Sequence, residues 1–180
     1  MRTPVTQRGI TLVEAAIVVA VAAVTVTSAA PSFHRFIEKQ RLDGAAAQLA
    51  TDLRFARAEA IARNTALRFS VQATPWGGCH VIHSGAAQQC RCAASGPAVC
   101  DADAREIKTV QWPAREGIAL HSNVTSMLFD PLHGTSTPAG TLRLVAASGR
   151  TVHHVVNVMG RVRACSPQEP AIAVPGYRAC

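Results

Sequence analysis

From Ile10 to Ala30 the chain reads ITLVEAAIVVAVAAVTVTSAA, apolar at nearly every position and broken by one charge, Glu14. A helix of about 20 apolar residues crosses a bilayer, so residues 10–30 predict a transmembrane or filament-core helix. Beyond Pro31 the pattern becomes periodic. Phe33, Phe36, Ile37, Leu42, Ala45, Ala46, Leu49, Leu53, Ala56, Ala60 and Ile61 recur mostly three or four apart, which predicts an amphipathic helix over residues 31–64. Arg35, Glu38, Lys39, Asp43, Asp52 and Arg54 fall largely off this stripe. Glu59 and Arg63 stand four apart in the favourable order, and Asn64 is the expected stop. Unbroken, a helix from Ile10 to Arg63 would be about 80 Å long.

At Ala66 the period shifts from that of a helix to that of a strand. Leu67, Phe69 and Val71 alternate with Arg68, Ser70 and Gln72, the signature of a half-buried strand. TPWGG reads as a turn and CHVIH as the returning strand. Residues 84–104 are rich in Ala, Gly and Cys without a period, and read as a disulfide-tied loop. EIKTVQWP, GIALHS and SMLFD are short strands, and PLHGTSTPAG is a turn-rich loop. TLRLVAA is a strand, SGR a hairpin turn, and TVHHVVNVMGRVRAC either a strand pair or one strand with a bulge at Gly160. One long helix followed by short strands defines an α+β class, with the helix packed on antiparallel sheet and a β-rich head over residues 65–180.

Charge sharpens this layout. The chain is formally +7, and its 18 basic residues are almost all arginine. Residues 65–130 balance five basic against five acidic residues, whereas residues 131–180 carry Arg143, Arg150, Arg161, Arg163 and Arg178 against Glu169 alone. The basic excess of the head therefore lies in its last third, an electrostatic footprint for a polyanion. All six cysteines, Cys79, Cys90, Cys92, Cys100, Cys165 and Cys180, follow the apolar segment. An even number on one side of a membrane reads as disulfides in an oxidising compartment. A Cys165–Cys180 bond would close the C-terminal loop and hold Arg178 near Arg161 and Arg163. The other four cysteines allow three pairings, of which the set containing Cys90–Cys92 is least favoured, because one intervening residue strains the bridge. Zinc bound by Cys79, His80, His83, Cys90 and Cys92 is the rival reading, but the spacing is not a standard zinc pattern, and no metal or other cofactor is expected.

The amino terminus admits a signal peptide or a plain anchor. Neither accounts for Glu14, since a carboxylate inside a bilayer costs roughly 2.5–3.5 kcal/mol or more. The run RGITLVE, a hydrophilic leader ending in Gly followed by an apolar helix, resembles the class III signal of type IV prepilins. That resemblance implies a leader over residues 1–9, a cut after Gly9 by a prepilin peptidase, and methylation of the new terminus at Ile10, where the family usually has Phe. It also implies an assembly role for Glu14, paired with the amine of a neighbouring subunit. The segment QLATDLRFARAEAIARNTALRFSV, the Gly-bearing loop before TLRL and the closing GRVR extend the likeness to the GspH/FimT family of minor pilins and pseudopilins. The family fold is a long N-terminal helix packed against β-sheet. The expected setting is a single-pass inner-membrane protein with a periplasmic head, later part of a pilus or pseudopilus with other pilins.

GRVR, Gly160 to Arg163, is the sharpest candidate for chemistry. In a strand, Arg161 and Arg163 share a face about 6.6 Å apart while Val162 turns inward. Guanidiniums so spaced suit successive phosphates, and Gly160 permits a bulge or a close backbone approach. The plain alternative is an exposed strand with two solvated arginines. GRVR resembles the GRxR of FimT-like members linked to DNA uptake, which implies sequence-independent DNA capture, with Arg178, Arg143 and Arg150 as further contacts. The competing expectation is a structural minor pilin, or a type II secretion pseudopilin, without DNA binding. No G-x-S-x-G, H-E-x-x-H or phosphate loop is present, so the chain reads as a non-enzyme with no small-molecule substrate.

Overall fold

A computed structural model describes residues 11–101 and 103–180, apart from the side chains of 28–31. Gly9, Ile10 and the leader lie outside the described residues. Helix α1 runs Leu12–Ala62. Its start is a capping arrangement: Thr11 Oγ1 accepts the Glu14 backbone N–H at 3.2 Å, so Glu14 stands in the first turn, where a carboxylate also favours the helix dipole. Its end is a Schellman motif. Asn64 takes φ +48°, Thr65 N–H donates to Ala60 C=O and Asn64 N–H to Ile61 C=O, both at 3.1 Å.

The chain forms two compact units, one up to Lys39 and one from Gln40 to Cys180. The first is the apolar part of α1, long and apolar enough to cross a membrane. Among its described side chains Ile17, Val18, Val21 and Val24 are exposed, as expected of a surface built for lipid or for other helices.

The second unit is the head. Its part of α1 buries Leu42, Ala45, Ala46, Leu49, Leu53, Ala56 and Ala60, and the alanines let the helix axis come close to the sheets. The head's strands are β1 Leu67–Thr74, β2 Gly77–His83, β3 Cys90–Arg91, β4 Val99–Cys100, β5 Glu106–Pro113, β6 Ile118–Ser122, β7 Ser126–Phe129, β8 Ser136–Thr137, β9 Gly140–Ala146, β10 Thr151–Val156 and β11 Val162–Cys165. They form a five-stranded sheet in the order β5-β2-β1-β7-β8 and a four-stranded sheet in the order β11-β10-β9-β6. All the pairings are antiparallel. Phe69, Ile82, Met127 and Phe129 of the first sheet meet Leu120, Leu142, Leu144 and Val152 of the second in one core with α1. This is the α+β architecture read from the sequence.

Local differences from that reading have simple causes. The aperiodic stretch 84–104 contains the two-residue strands β3 and β4, held by Cys90–Cys100, and is tied to β2 by Cys79–Cys92. With the third bridge, Cys165–Cys180, no thiol is left for zinc, and His80 and His83 are bonded inside the core. The loop after β7 contains β8, too short to show a period. Residues 151–165 are a strand pair, β10 and β11, rather than one bulged strand.

Asp52 departs most from expectation. It is not a solvated charge beside the apolar stripe but a buried one. Its Oδ1 accepts from Lys108 Nζ at 2.5 Å and its Oδ2 from His80 Nε2 at 3.1 Å. Trp112 Nε1–H donates to His80 Nδ1 at 3.0 Å, so the imidazole is neutral, with its proton on Nε2. Burial pushes the Asp52 carboxyl up, but the bonds from His80 and Lys108 outweigh it and hold the group below the ordinary range. Burial drives His80 down.

Candidate nucleic-acid interface

The hairpin of β10 and β11 carries GRVR. Its turn, residues 157–160, is closed by Gly160 N–H donating to Asn157 C=O at 2.8 Å and Arg161 N–H donating to Asn157 Oδ1 at 2.9 Å. Gly160 adopts φ +69°. A Cβ there would collide with the Gly134 carbonyl oxygen and lie 2.9 Å from Arg57 Nε. The glycine is thus required twice, by its backbone conformation and by the approach of the neighbouring loop. Arg57 Nε donates to that same carbonyl at 2.7 Å, and Ser136 N–H donates to Val158 C=O at 2.9 Å. These ties hold the turn, the 130–137 loop and α1 together. Gly160→Ala is therefore expected to cost the head roughly 2–4 kcal/mol, from left-handed strain and overpacking. Gly176→Ala, at φ +100° in open space, is expected to cost only roughly 1–2 kcal/mol. Urea denaturation of both variants checks this, and equal losses would show that the Gly160–Gly134 approach contributes nothing.

Beyond the turn, Val162 packs against the core while Arg161 and Arg163 are exposed. Because β11 is an edge strand, these arginines border a groove between β11 and α1. The groove holds about 590 Å³ and is lined by Arg54, Arg57, Ala58 and Ile61 of the helix and by Gly160, Arg161, Val162 and Arg163. No carboxylate lines it. A second depression of about 330 Å³ is bordered by Val155, Arg163, Ala164, Cys165 and the C-terminal residues from Arg178. Arg163 lines both. The Cys165–Cys180 bond and the hydrogen bond from Ser166 N–H to Arg178 C=O at 2.8 Å hold Arg178 there. Among the described residues, no carboxylate pairs with Arg54, Arg161, Arg163 or Arg178.

The other candidate contacts stand apart. Arg143 lies on β9, directly opposite His153 of β10 and His121 of β6. It shares the outer sheet face with Arg163 but is two strands away. Burial, and then the Arg143 charge, push the His153 imidazole down, so it adds no charge at neutral pH. Arg150 lies in the β9–β10 turn, at the opposite end of the hairpin from Gly160. Tyr177 is half-buried on the core, and its hydroxyl is pushed up to about 12 by burial and by its bond to Asp43. The structure thus brings Arg161, Arg163 and Arg178 to one edge and leaves Arg143 and Arg150 elsewhere.

The helix wall, Arg54 and Arg57, is absent from the sequence-based site. A signal for it existed. Arg54, Arg57, Ala58 and Ile61 follow the i, i+3, i+4, i+7 spacing of one helix face, next to the face that enters the core.

A long helix, apolar in its first half and packed on two antiparallel sheets in its second, is the architecture of a pilin. The fold matches a crystal structure of the type IV minor pilin FimU of Pseudomonas aeruginosa with a TM-score of 0.51 at 19% identity, over 79% of this chain and 98% of that one. A second crystal form of FimU aligns at 18% identity and a TM-score of 0.48, over 75% of this chain and 98% of that one. At such identity the likeness shows the fold alone. The family model described as type II transport protein GspH matches residues 45–160, most of the head, and the chain belongs to this family. No curated protein sequence matches it significantly. The family match ends at Gly160, so Arg161, Arg163 and Arg178 lie outside the matched region.

Proposed function

We propose that this chain is a minor type IV pilin that captures extracellular DNA on its C-terminal basic edge, for uptake in natural transformation. The observation that carries this reading is the edge itself: Arg161 and Arg163 exposed on either side of an anchored Val162, with Arg178 tied beside Arg163 and no carboxylate lining the groove between β11 and α1. Guanidinium forks pair with phosphate oxygens. With Tyr177 held in the core contact, little base stacking is available, so binding is electrostatic and indifferent to sequence. In this reading a prepilin peptidase cuts after Gly9, Ile10 becomes the methylated terminus, and Glu14 pairs with the amine of a neighbouring pilin. The head faces the periplasm before assembly.

The test uses the full chain, oxidised, in neutral detergent, with a fluorescent duplex across a salt series. Tight binding at low salt should weaken steeply as salt rises. Arg161→Gln/Arg163→Gln should lower affinity at least about tenfold and flatten the log–log salt slope by about 1.8, two phosphate contacts' worth. Absence of binding at low salt by the folded chain, or an unchanged slope in the double variant, would overturn the reading. Family membership favours the second reading, a structural minor pilin or type II secretion pseudopilin whose basic edge meets an acidic face of another pilin.

A further inference from the structure

The GRVR arginines form only one wall of their groove. Across from them, α1 presents Arg54 and Arg57, with Ala58 and Ile61 completing the wall. Arg54 is exposed and, among the described residues, pairs with no carboxylate. Arg57, which also lines the groove, spends its Nε on the Gly134 carbonyl, and this bond fixes the plane of its guanidinium. On a helix, positions three apart are neighbours, with Cβ atoms roughly 5–6 Å apart. The walls therefore offer two arginines each, with only apolar or glycine linings between them. Four positive charges would repel one another across the gap, and among the described residues no carboxylate lines it. The complement to such a gap is a narrow polyanion that enters between the walls and takes forks from both sides.

From this geometry we infer that the groove between α1 and β11 is a two-walled clamp for a single phosphodiester backbone, and that Arg54 of the helix contacts the bound strand directly while Arg57 positions the turn that carries GRVR. The inference rests on the DNA-binding reading and deepens it. It moves the bound backbone from the outer surface of the strand pair into the cleft beside the helix. One strand fits such a cleft, whether it is free or the near strand of a duplex.

Matched substitutions on the exposed side of the helix test this without disturbing the core. Ala58 and Ala47 are both exposed on α1, but only Ala58 lines the groove. Ala58→Glu places a carboxylate between the walls and is expected to weaken oligonucleotide binding at least about tenfold, whereas Ala47→Glu, the same change in net charge, should weaken it by about twofold or less. Arg54→Gln should flatten the salt slope by about 0.9 on duplex or about 0.7 on single strands, one phosphate contact, and Arg41→Gln, an exposed helix arginine outside the groove, should leave it unchanged. These measurements use the full chain in neutral detergent with labelled single-stranded and duplex oligonucleotides. If each pair of variants behaves alike while Arg161→Gln/Arg163→Gln still loses binding, the helix wall is not part of the site and the clamp is overturned, with DNA capture by GRVR left standing. If the unaltered chain binds neither probe, both fall together.

Discussion

Lys108→Met is expected to destabilise the head by about 3–5 kcal/mol at neutral pH, the usual cost of stranding a buried charge, and by more than Asp52→Asn. The asymmetry follows from burial. The Asp52 side chain is 1% exposed, whereas that of Lys108 is 41% exposed. Removing the lysine leaves a carboxylate inside the core, supported only by a neutral His80 whose Nδ1 is already engaged by Trp112. Removing the carboxylate's charge leaves a lysine that swings into water. Asparagine, meanwhile, still offers an oxygen to His80 Nε2–H, so Asp52→Asn should cost only about 1–2 kcal/mol. Urea denaturation followed by the fluorescence of buried Trp112 reads both, and partial recovery in the double variant would confirm the coupling. An Asp52→Asn loss larger than that of Lys108→Met would mean that the pair is not the charged unit described.

Asp52 also marks what a single sequence conceals. The helix, its stop at Asn64 and most of the strands are legible because each is written in a local period or a turn residue. Asp52 sits one position before Leu53, at the margin of the apolar stripe, and periodicity places such a residue outside the core. Only the partners that arrive from β2 and β5, His80, Trp112 and Lys108, make its burial tolerable, and they lie about 30 to 60 positions away, beyond any local signal. The candidate groove divides in the same way. Its strand wall is readable from the alternation in GRVR. Its helix wall is a stripe of Arg54, Arg57, Ala58 and Ile61 that looks like an ordinary solvated face until a hairpin some hundred residues later is laid against it. Gly160 was readable as a place of close approach, but what approaches, the carbonyl of Gly134, is fixed only by the tertiary fold. Disulfide pairing among Cys79, Cys90, Cys92 and Cys100 is hidden for that reason too: four cysteines within 22 positions leave spacing too little to decide between Cys79–Cys92 and Cys79–Cys90.

The core's histidines should make the head acid-labile well above the carboxylate range. His154 is buried under α1, where Nε2–H donates to the Ala46 carbonyl at 2.9 Å and Nδ1 has no partner. Burial is the main cause that drives its pKa from 6.5 to about 4. Burial lowers His80 and His83 as well. The unfolded chain takes up protons near pH 6.5 while the folded head does not, so protonation favours unfolding. The stability these groups contribute is complete above about pH 6.5 and is lost as pH falls below it. For His154 the loss continues down to about pH 4 and amounts to roughly 3 kcal/mol. Asp52 acts lower: with its pKa below the ordinary 3.8, its contribution is present above that value and disappears as pH drops through the folded one. Unfolding free energies from urea titrations at pH values from about 7.5 to 4.5 should therefore fall steadily, with His154 alone contributing a limiting slope of about 1.4 kcal/mol per pH unit. His154→Gln keeps a donor for the Ala46 carbonyl but takes up no proton in the unfolded chain. It should cost stability at pH 7.5 and flatten the profile by one proton below pH 6.5, so that the two curves converge toward pH 4.5. Parallel curves would show that His154 titrates in the folded head as freely as in the unfolded chain, and that its place under the helix exerts no pH control.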